Sequence, residues 1–454
     1  MSKRQLFGTD GIRGKANVYP MTCEVAFALG RAVTSYFQTK KDSKPLIIIG
    51  KDTRLSCYML EQAFSSGVCS QGGRAILTGP LPTPGVAFAT QSMRADAGVM
   101  ISASHNPYYD NGIKIFDAYG HKLPDEVELE LENMVLNPSL IPVKVDDELG
   151  SAKRLDEVVA RYIVHTKSVF NMKYSLEGMR LVVDAANGAA YRAAPMVFEE
   201  LGAEVITNGV KPDGININSG VGALHPSKCS KLVQKYRADL GICIDGDGDR
   251  VVIIDSSGEI IDGDKLFGIL AKFLLDTGVL KDNPVVVGTV MSNFGLEHYL
   301  MKHGIKLLRT KVGDRYIMEQ IRKDNLIFGG EPSGHIIFKN YATTGDGVLA
   351  ALKVIECMKY YNKSFTELAA EVELFPQTLI NVKVDHKPDF NTVPKITEAV
   401  ESAEKELGTE GRILLRYSGT EMLARVMVEG KNLSLVNQLA TKVASVVARE
   451  LSKD

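Results

Sequence analysis

The chain has 454 residues, 45% of them hydrophobic and 24% charged, which excludes a disordered, collagenous or low-complexity protein. Its 53 basic and 55 acidic residues leave a net charge near −2. That is too little to steer it globally toward nucleic acid or membrane, although a basic pocket for an anionic small molecule stays open. At roughly 150 residues per domain the length predicts about three domains and more than one core.

The first residues, Met1-Ser-Lys-Arg-Gln-Leu-Phe-Gly, are basic but lack the apolar segment of a secretory signal. Apolar runs such as residues 46–49 fall far short of the roughly 18–20 residues that span a bilayer. Six cysteines (Cys23, Cys57, Cys69, Cys229, Cys243 and Cys357) are scattered without a C-x-x-C pair. This argues against zinc clusters and disulfide scaffolds and predicts a reducing, cytoplasmic setting.

In chain order, Gly8-Thr-Asp-Gly-Ile-Arg13-Gly14 predicts a flexible turn whose arginine can reach a phosphate. Next comes one motif order used three times. Each copy opens on an apolar, β-branched run ending in a polar turn: Pro45-Leu-Ile-Ile-Ile-Gly-Lys-Asp-Thr-Arg54, Arg180-Leu-Val-Val-Asp-Ala-Ala-Asn-Gly188 and Pro284-Val-Val-Val-Gly-Thr-Val-Met-Ser-Asn293. Continuous runs of this kind suit strands buried on both faces. A helical stretch follows, then a second strand behind Gly73, Gly202 or Gly304, another helix and a third strand. For that third strand, Arg94-Ala-Asp-Ala-Gly-Val-Met-Ile-Ser-Ala-Ser104 aligns without gaps on Arg237-Ala-Asp-Leu-Gly-Ile-Cys-Ile-Asp-Gly-Asp247, and more loosely on Arg322-Lys-Asp-Asn-Leu-Ile-Phe-Gly-Gly-Glu331.

Strands alternating with helices predict βαβ units and largely parallel sheets, whose ligands collect beyond the carboxyl ends of the strands. The three equivalent third strands end in the polar segments Ser102-Ala-Ser-His-Asn-Pro107, Asp245-Gly-Asp-Gly-Asp-Arg250 and Gly330-Glu-Pro-Ser-Gly-His335, which predicts one composite site. Past Phe375-Pro376 the pattern changes. Strands are predicted at 378–384, 411–416 and 423–428, and helices at 393–406 and 433–451, on a linker near 372–376. The expected fold is three similar mixed, largely parallel α/β domains plus a smaller α+β C-terminal domain around a central cleft. The expected domains are 1–153 with the serine loop, 154–254 with the acidic loop, 255–371 with the Glu331 loop and 372–454 with the Arg416 turn.

Asp245, Asp247 and Asp249 stand at alternate positions, with glycines that let the loop curl. Three converging carboxylates repel unless a cation joins them, and hard oxygen donors select Mg²⁺, Mn²⁺ or Ca²⁺. An EF-hand is excluded: its sixth and twelfth positions are Arg250 and Ser256 rather than glycine and glutamate. Arg250 is a candidate phosphate contact beside the cation. The Ser104-His105-Asn-Pro segment carries a hydroxyl and an imidazole. On its own it fits a helix N-cap and turn as well as a phosphate-accepting serine. Neither a G-x-S-x-G elbow nor an ATP P-loop occurs in the chain. Glu331 and Ser333, two apart, suit the grip on two sugar hydroxyls, and His335 titrates near neutrality. Arg416-Tyr-Ser418-Gly419-Thr420, with Arg425 beyond, has the composition of an anion nest, or of a plain surface turn.

Taken together, Gly8-Thr-Asp-Gly-Ile-Arg-Gly14, Ser104-His-Asn-Pro with Asn111-Gly-Ile-Lys114, Asp245-Gly-Asp-Gly-Asp-Arg250, Gly330-Glu-Pro-Ser-Gly-His335 and Arg416-Tyr-Ser-Gly-Thr-Glu421 resemble the α-D-phosphohexomutase family, in order and along the whole chain. Pro107-Tyr-Tyr-Asp-Asn-Gly-Ile-Lys, Asp213-Gly-Ile-Asn-Ile-Asn218, Lys311-Val-Gly-Asp-Arg315 and Thr343-Thr-Gly-Asp-Gly347 are similar to its bacterial subgroup acting on glucosamine phosphates. The resemblance implies an isomerase that moves phosphate between O6 and O1 of glucosamine through a phosphoserine and a 1,6-bisphosphate. Such an enzyme feeds UDP-N-acetylglucosamine and cell-wall precursor synthesis.

It implies Ser104 as phosphoserine and one Mg²⁺ on Asp245, Asp247, Asp249 and Ser104. Arg13, His105, Lys114, Arg250 and His335 would be catalytic, with Lys114 and His335 the acid/base candidates. Glu331, Ser333 and Lys311 would bind the sugar, and Arg416, Ser418, Gly419, Thr420 and Arg425 the non-reacting phosphate. Glucosamine 1,6-bisphosphate or another hexose 1,6-bisphosphate would be activator and intermediate. The expected partner is a phosphosugar, with no nucleic acid or membrane; a homodimer is among the assemblies the resemblance allows. Tyr417 and Met422 depart from the expected wording around the phosphate turn. The alternatives are a mutase of the same family acting on mannose or glucose phosphates and, in another class, a metal-dependent sugar phosphatase.

Overall fold

The computed structural model describes residues 4–8, 10–39, 43–418 and 421–452. The three first strands are Leu46–Lys51, Arg180–Asp184 and Val285–Thr289, and the second strands Arg74–Pro80, Glu204–Asn208 and Lys306–Thr310. The third strands are Ala97–Ile101, Leu240–Ile244 and Phe328–Gly330. Each is followed by a strand that returns antiparallel to it: Asp110–Asp117, Val251–Ile254 and Ile336–Phe338. All three sheets share the spatial order returning, third, first, second, so the threefold repeat read in the sequence is a repeat of topology. Among the described residues, the first sheet alone gains edge strands, Ile12–Lys15 and Ser151–Arg154.

Even the turns repeat. At the end of each first strand a side-chain oxygen accepts the amide two residues on: Asp52 from Arg54 (2.8 Å), Asp184 from Ala186 (3.0 Å) and Thr289 from Met291 (3.1 Å). One alignment needs correction. Arg94, Arg237 and Asn325 have left-handed φ angles of 52°, 50° and 51°, and the third strand begins three residues after each. Asn325, not Arg322, is therefore the third copy's counterpart of Arg94. Arg322-Lys-Asp misleads because it repeats the Arg-x-Asp spacing inside or just past the helix Asp314–Lys323. With the register corrected, Ser104, Asp247 and His335 stand at one equivalent position.

Strand alternation decides the packing. Ile47 and Ile49 face a core with Leu29, Leu60 and Phe64, whereas Ile48 faces a second with Val86 and Tyr162. That second core continues through Phe198, Leu270 and Leu352 to Val372, so one apolar body joins the first three repeats. The fourth unit has its own core around Val426, Leu439 and Val443. There the antiparallel strands Gln377–Lys383, Leu423–Gly430 and Gly411–Tyr417 pack on the helices Pro394–Leu407 and Leu433–Leu451. Asn293 clamps the connection, donating to Phe375 O (3.0 Å) and accepting from Phe375 N (2.9 Å). Among the described residues, no helix is long and apolar enough to cross a membrane, and all six cysteines are free thiols.

Candidate active site

The serine and acidic loops meet. Ser104, only 2% exposed, points its Oγ at Asp245 Oδ2, 2.7 Å away. Asp245, Asp247 and Asp249 are all buried and present carboxylate oxygens within 4.8 Å of one another. Gly248 supplies the curl at φ 80°. Gly246 serves close approach instead, since a Cβ there would lie 2.4 Å from Ser104 O.

Asp247 Oδ2 accepts from Thr83 Oγ1 (2.7 Å) and Lys114 Nζ (2.9 Å), yet the buried Oδ1 atoms of Asp247 and Asp249 have no hydrogen-bond partner among the described residues. Burial, and then Asp249 and Asp247, push Asp245 well above the usual carboxylate range. Unpartnered hard oxygens around crowded negative charge are what a divalent cation such as Mg²⁺ would satisfy, so the donor set fits that ion.

A closed circuit of alternating charges surrounds this group and draws on all three repeats. Lys114 Nζ lies 3.3 Å from Asp10 and 3.7 Å from Asp249. Asp249 stands 3.8 Å from His335 Nδ1, and His335 Nε2 stands 3.5 Å from Asp314. Lys122 Nζ closes the circuit at 2.5 Å from both Asp314 and Asp10. Burial would raise the pKa values of Asp10 and Asp249, but the adjacent cations hold both well below the usual range. Burial likewise opposes charge on Lys114 and His335, and the carboxylates nevertheless carry both above their ordinary values. Gly345 N–H approaches His335 Nε2 at 3.0 Å, so when the ring is neutral its proton sits on Nδ1, toward Asp249.

A cavity of about 580 Å³ opens onto this assembly, lined among others by Arg13, Ser104, His105, Asp249, Arg250, Asp314, Glu331 and His335. His105 Nδ1 lies 3.2 Å from Arg250 Nη1 and 3.3 Å from Ser104 Oγ. Burial, then Arg250 and Arg13, bring its pKa down to about 4, so it is neutral at pH 7. Glu331 accepts from Gly313 N–H (3.0 Å).

Other expected residues are not brought to this cavity. Ser333 is exposed and outside its lining. Lys311 lies over the Tyr316 ring at 6.0 Å, while residues 312–316 line the wall in its place. Arg416, Ser418 and Arg425 stand on the fourth unit, also outside the lining. Gly419 and Thr420 fall outside the described residues.

Within the fourth unit Arg416 and Arg425 face each other across the strand pair, and Lys387 Nζ donates to Ser418 O (2.7 Å). Tyr417 has a packing role: it stacks on Phe390 at 4.1 Å and donates to Pro388 O. Asp10, Lys122, Asp314, Thr83 and Lys387 were not singled out from sequence. Asp10 and Asp314 did lie inside quoted motifs, which is the one signal that could have found them.

Sequence profiles of phosphoglucomutase/phosphomannomutase match the chain four times. Alpha/beta/alpha domain I matches residues 4–140, domain II 160–258, domain III 262–375 and the C-terminal domain 379–446. The chain belongs to this phosphohexomutase family. Within it, a phosphoglucosamine mutase from Syntrophotalea carbinolica is 49% identical over 99% of this chain and 98% of that one. One from Desulfovibrio desulfuricans is 50% identical over 98% and 99%.

Among solved structures, a phosphoglucomutase/phosphomannomutase family protein from Burkholderia thailandensis has a TM-score of 0.81 at 22% identity, covering 98% of this chain and 97% of that one. An N-acetylphosphoglucosamine mutase from Aspergillus fumigatus, in complex with GlcNAc-6P and magnesium, has a TM-score of 0.69 at 18% identity, covering 99% and 96%. At these identities the structures establish the common fold.

Proposed function

We propose that this chain is a phosphoglucosamine mutase, interconverting glucosamine 6-phosphate and glucosamine 1-phosphate through phosphorylated Ser104 and a bound 1,6-bisphosphate. The observation that carries the reading is Ser104 Oγ set 2.7 Å from Asp245 inside a buried aspartate triplet; full-length relatives of that name support the amino-sugar substrate. Mg²⁺ held by Asp245, Asp247, Asp249 and an oxygen on Ser104 would neutralise charge on the transferring phosphoryl group.

The chain's own residues do the rest. Arg13 and Arg250 line the cavity beside Ser104 and serve as guanidinium donors to phosphoryl oxygens. Neutral His105 packs between Ser104 and Arg250 without adding a competing charge. Lys114 acts as a fixed cation on the triplet rather than a proton carrier, which leaves His335 as the proton-exchanging candidate. Glu331 has no ion pair among the described residues, which suits it to accept hydrogen bonds from sugar hydroxyls.

In the forward direction the sugar O1 gives up its hydroxyl proton to His335 and forms its bond to phosphorus as the Oγ–P bond of Ser104 breaks, and His335 returns the proton to O6 in the second half. After the bisphosphate turns over, Oγ takes the 6-phosphoryl group and the O6 bond breaks, leaving the 1-phosphate on the sugar. The fourth-unit turn (Arg416, Ser418, Gly419, Thr420 and Arg425) would hold whichever phosphate is not reacting. Comparing kcat/KM for glucosamine, glucose and mannose 6-phosphates tests the substrate: the highest value is expected for glucosamine, and a clear mannose preference would overturn the assignment. Release of inorganic phosphate at the turnover rate would favour a phosphatase instead.

A further inference from the structure

Beneath the serine loop lies a charged pair that the reaction outlined above leaves unused. Arg54 is fully buried and Asp52 is 1% exposed, with Arg54 Nε 3.0 Å from Asp52 Oδ2. Neither touches the cavity, and a guanidinium is costly to bury unless it is well engaged. Arg54 spends its donors on the loop backbone. Nη2 reaches Ser104 O (2.9 Å) and Asn106 O (2.9 Å), and Nη1 reaches Pro107 O (3.3 Å). From the second repeat, Asn218 Nδ2 donates to the same carbonyls of Ser104 and Asn106, at 2.9 and 3.1 Å. On the other side of the residue, Ser104 N–H donates to Ser102 Oγ (2.9 Å), whose hydroxyl donates to Asp52 (2.5 Å).

Ser104 therefore has both its backbone groups tied, and it needs them tied. Its φ is 52°, a left-handed conformation that a serine holds only where surrounding structure over-determines it. The geometry points to Arg54, helped by Asn218 from the second repeat, as the clamp that holds the Ser104 peptide in this conformation and so aims Oγ at the Asp245 carboxylate. Arg54 is thus a positioning residue for phosphoryl transfer, and the inference rests on the reading of Ser104 as the transferring residue. A clamp drawn from two repeats also fixes the serine loop against the acidic loop, where Gly246 already lies against Ser104 O.

The test uses the full chain, phosphorylated with glucose 1,6-bisphosphate. Rapid-quench kinetics would follow single-turnover transfer from phospho-Ser104 to glucosamine 6-phosphate in wild type, Asn218→Ala, Arg54→Lys and Arg54→Met. Displacing a reacting atom by about 1 Å is worth about 100-fold in rate, the loss expected for Arg54→Met, with about 10-fold for Asn218→Ala, Arg54→Lys between them, and KM within about twofold of wild type. A merely structural role would lower the folded fraction and the melting temperature while leaving transfer per folded molecule unchanged. Transfer close to the wild-type rate in Asn218→Ala and in whichever Arg54 variant folds overturns the clamp; if neither Arg54 variant folds, Asn218→Ala decides alone. Failure of the wild type to take up phosphate on Ser104 would instead remove the mutase reading itself.

Discussion

The cleft of the first three repeats and the turn of the fourth unit handle charge in opposite ways. In the cleft each of Asp10, Lys114, Asp249, His335, Asp314 and Lys122 meets opposite charges on both sides, and the loops stand on one continuous apolar core. In the fourth unit Arg416 directly opposes Arg425, with Lys387 near the same turn, the exposed Glu421 at 3.6 Å from Arg425 as the one carboxylate paired with these cations among the described residues, and a separate core behind them. Burial and then Arg425 hold Arg416 below its ordinary pKa. Like charges directly opposite in a sheet destabilise it, so the turn keeps an electrostatic deficit that an anion would fill. On the function proposed above this is a division of labour: the groups around Ser104 are neutralised in advance, whereas the turn proposed to hold the non-reacting phosphate is left for the ligand to complete.

The largest effect expected of a cleft variant is that of Asp247→Asn. It removes one carboxylate of the triplet while keeping an acceptor for Thr83. Turnover should fall about 10²- to 10³-fold, as when a charge-stabilising group is lost from a preorganised site. The Mg²⁺ dependence should weaken with it while the fold persists; an unchanged metal titration would contradict the ligand assignment.

Lys122→Met should come next. It takes from the part-buried Asp10 and Asp314 their shared cation while Lys114 and His335 stay beside them, a loss of about 1.5–3 kcal/mol, the worth of a hydrogen bond to a charged group, read as a lowered denaturation midpoint. Arg416→Met is the counterpart on the other side of the comparison. It should raise KM for the phosphosugar about tenfold, the worth of one charge-assisted hydrogen bond, without lowering the melting temperature. A destabilised Arg416 variant, or a Lys122 variant as stable as wild type, would break the contrast.

The smallest effect concerns the contact between the two regions. Asp264 accepts Asn293 N–H (2.7 Å), and burial, with Asp262 and Glu429 adding, raises its pKa to about 7. Its folded-state pKa lies above the unfolded value, so the folded chain holds a proton that the unfolded chain loses above about pH 4. The stability linked to that proton is complete below about pH 4, is lost as the pH rises from about 4 to about 7, and is level above that. The melting temperature of the wild type should therefore fall between about pH 5 and 7 more steeply than that of Asp264→Asn, and parallel curves would refute the assignment.

Sequence pattern carried most of the architecture. The apolar runs before Asp52, Asp184 and Thr289 and the amphipathic stretch at 433–451 are local signals that tertiary context reinforced. The meeting of the serine and acidic loops was legible because equivalent strand ends converge in a repeated sheet. The charge circuit was not, since Lys122 and Asp314 lie 192 residues apart and Lys122 sits in no motif. Lys311 and Ser333 show a finer limit. The turn into the helix at Asp314 sends 312–316 to the cavity wall, and Ser333, after Glu331, is exposed, placements that residue types alone do not encode. Arg54 escaped notice because its partners are backbone carbonyls, which side-chain motifs do not reveal.

The most direct test of the central claim is intact-mass analysis of the purified chain before and after incubation with glucose 1,6-bisphosphate, with peptide mapping of any modified species. A gain of one phosphoryl group on the peptide holding Ser104, discharged by glucosamine 6-phosphate and absent in Ser104→Ala, is the predicted result. Full turnover with an unmodified Ser104, or phosphate carried on another residue, would contradict it.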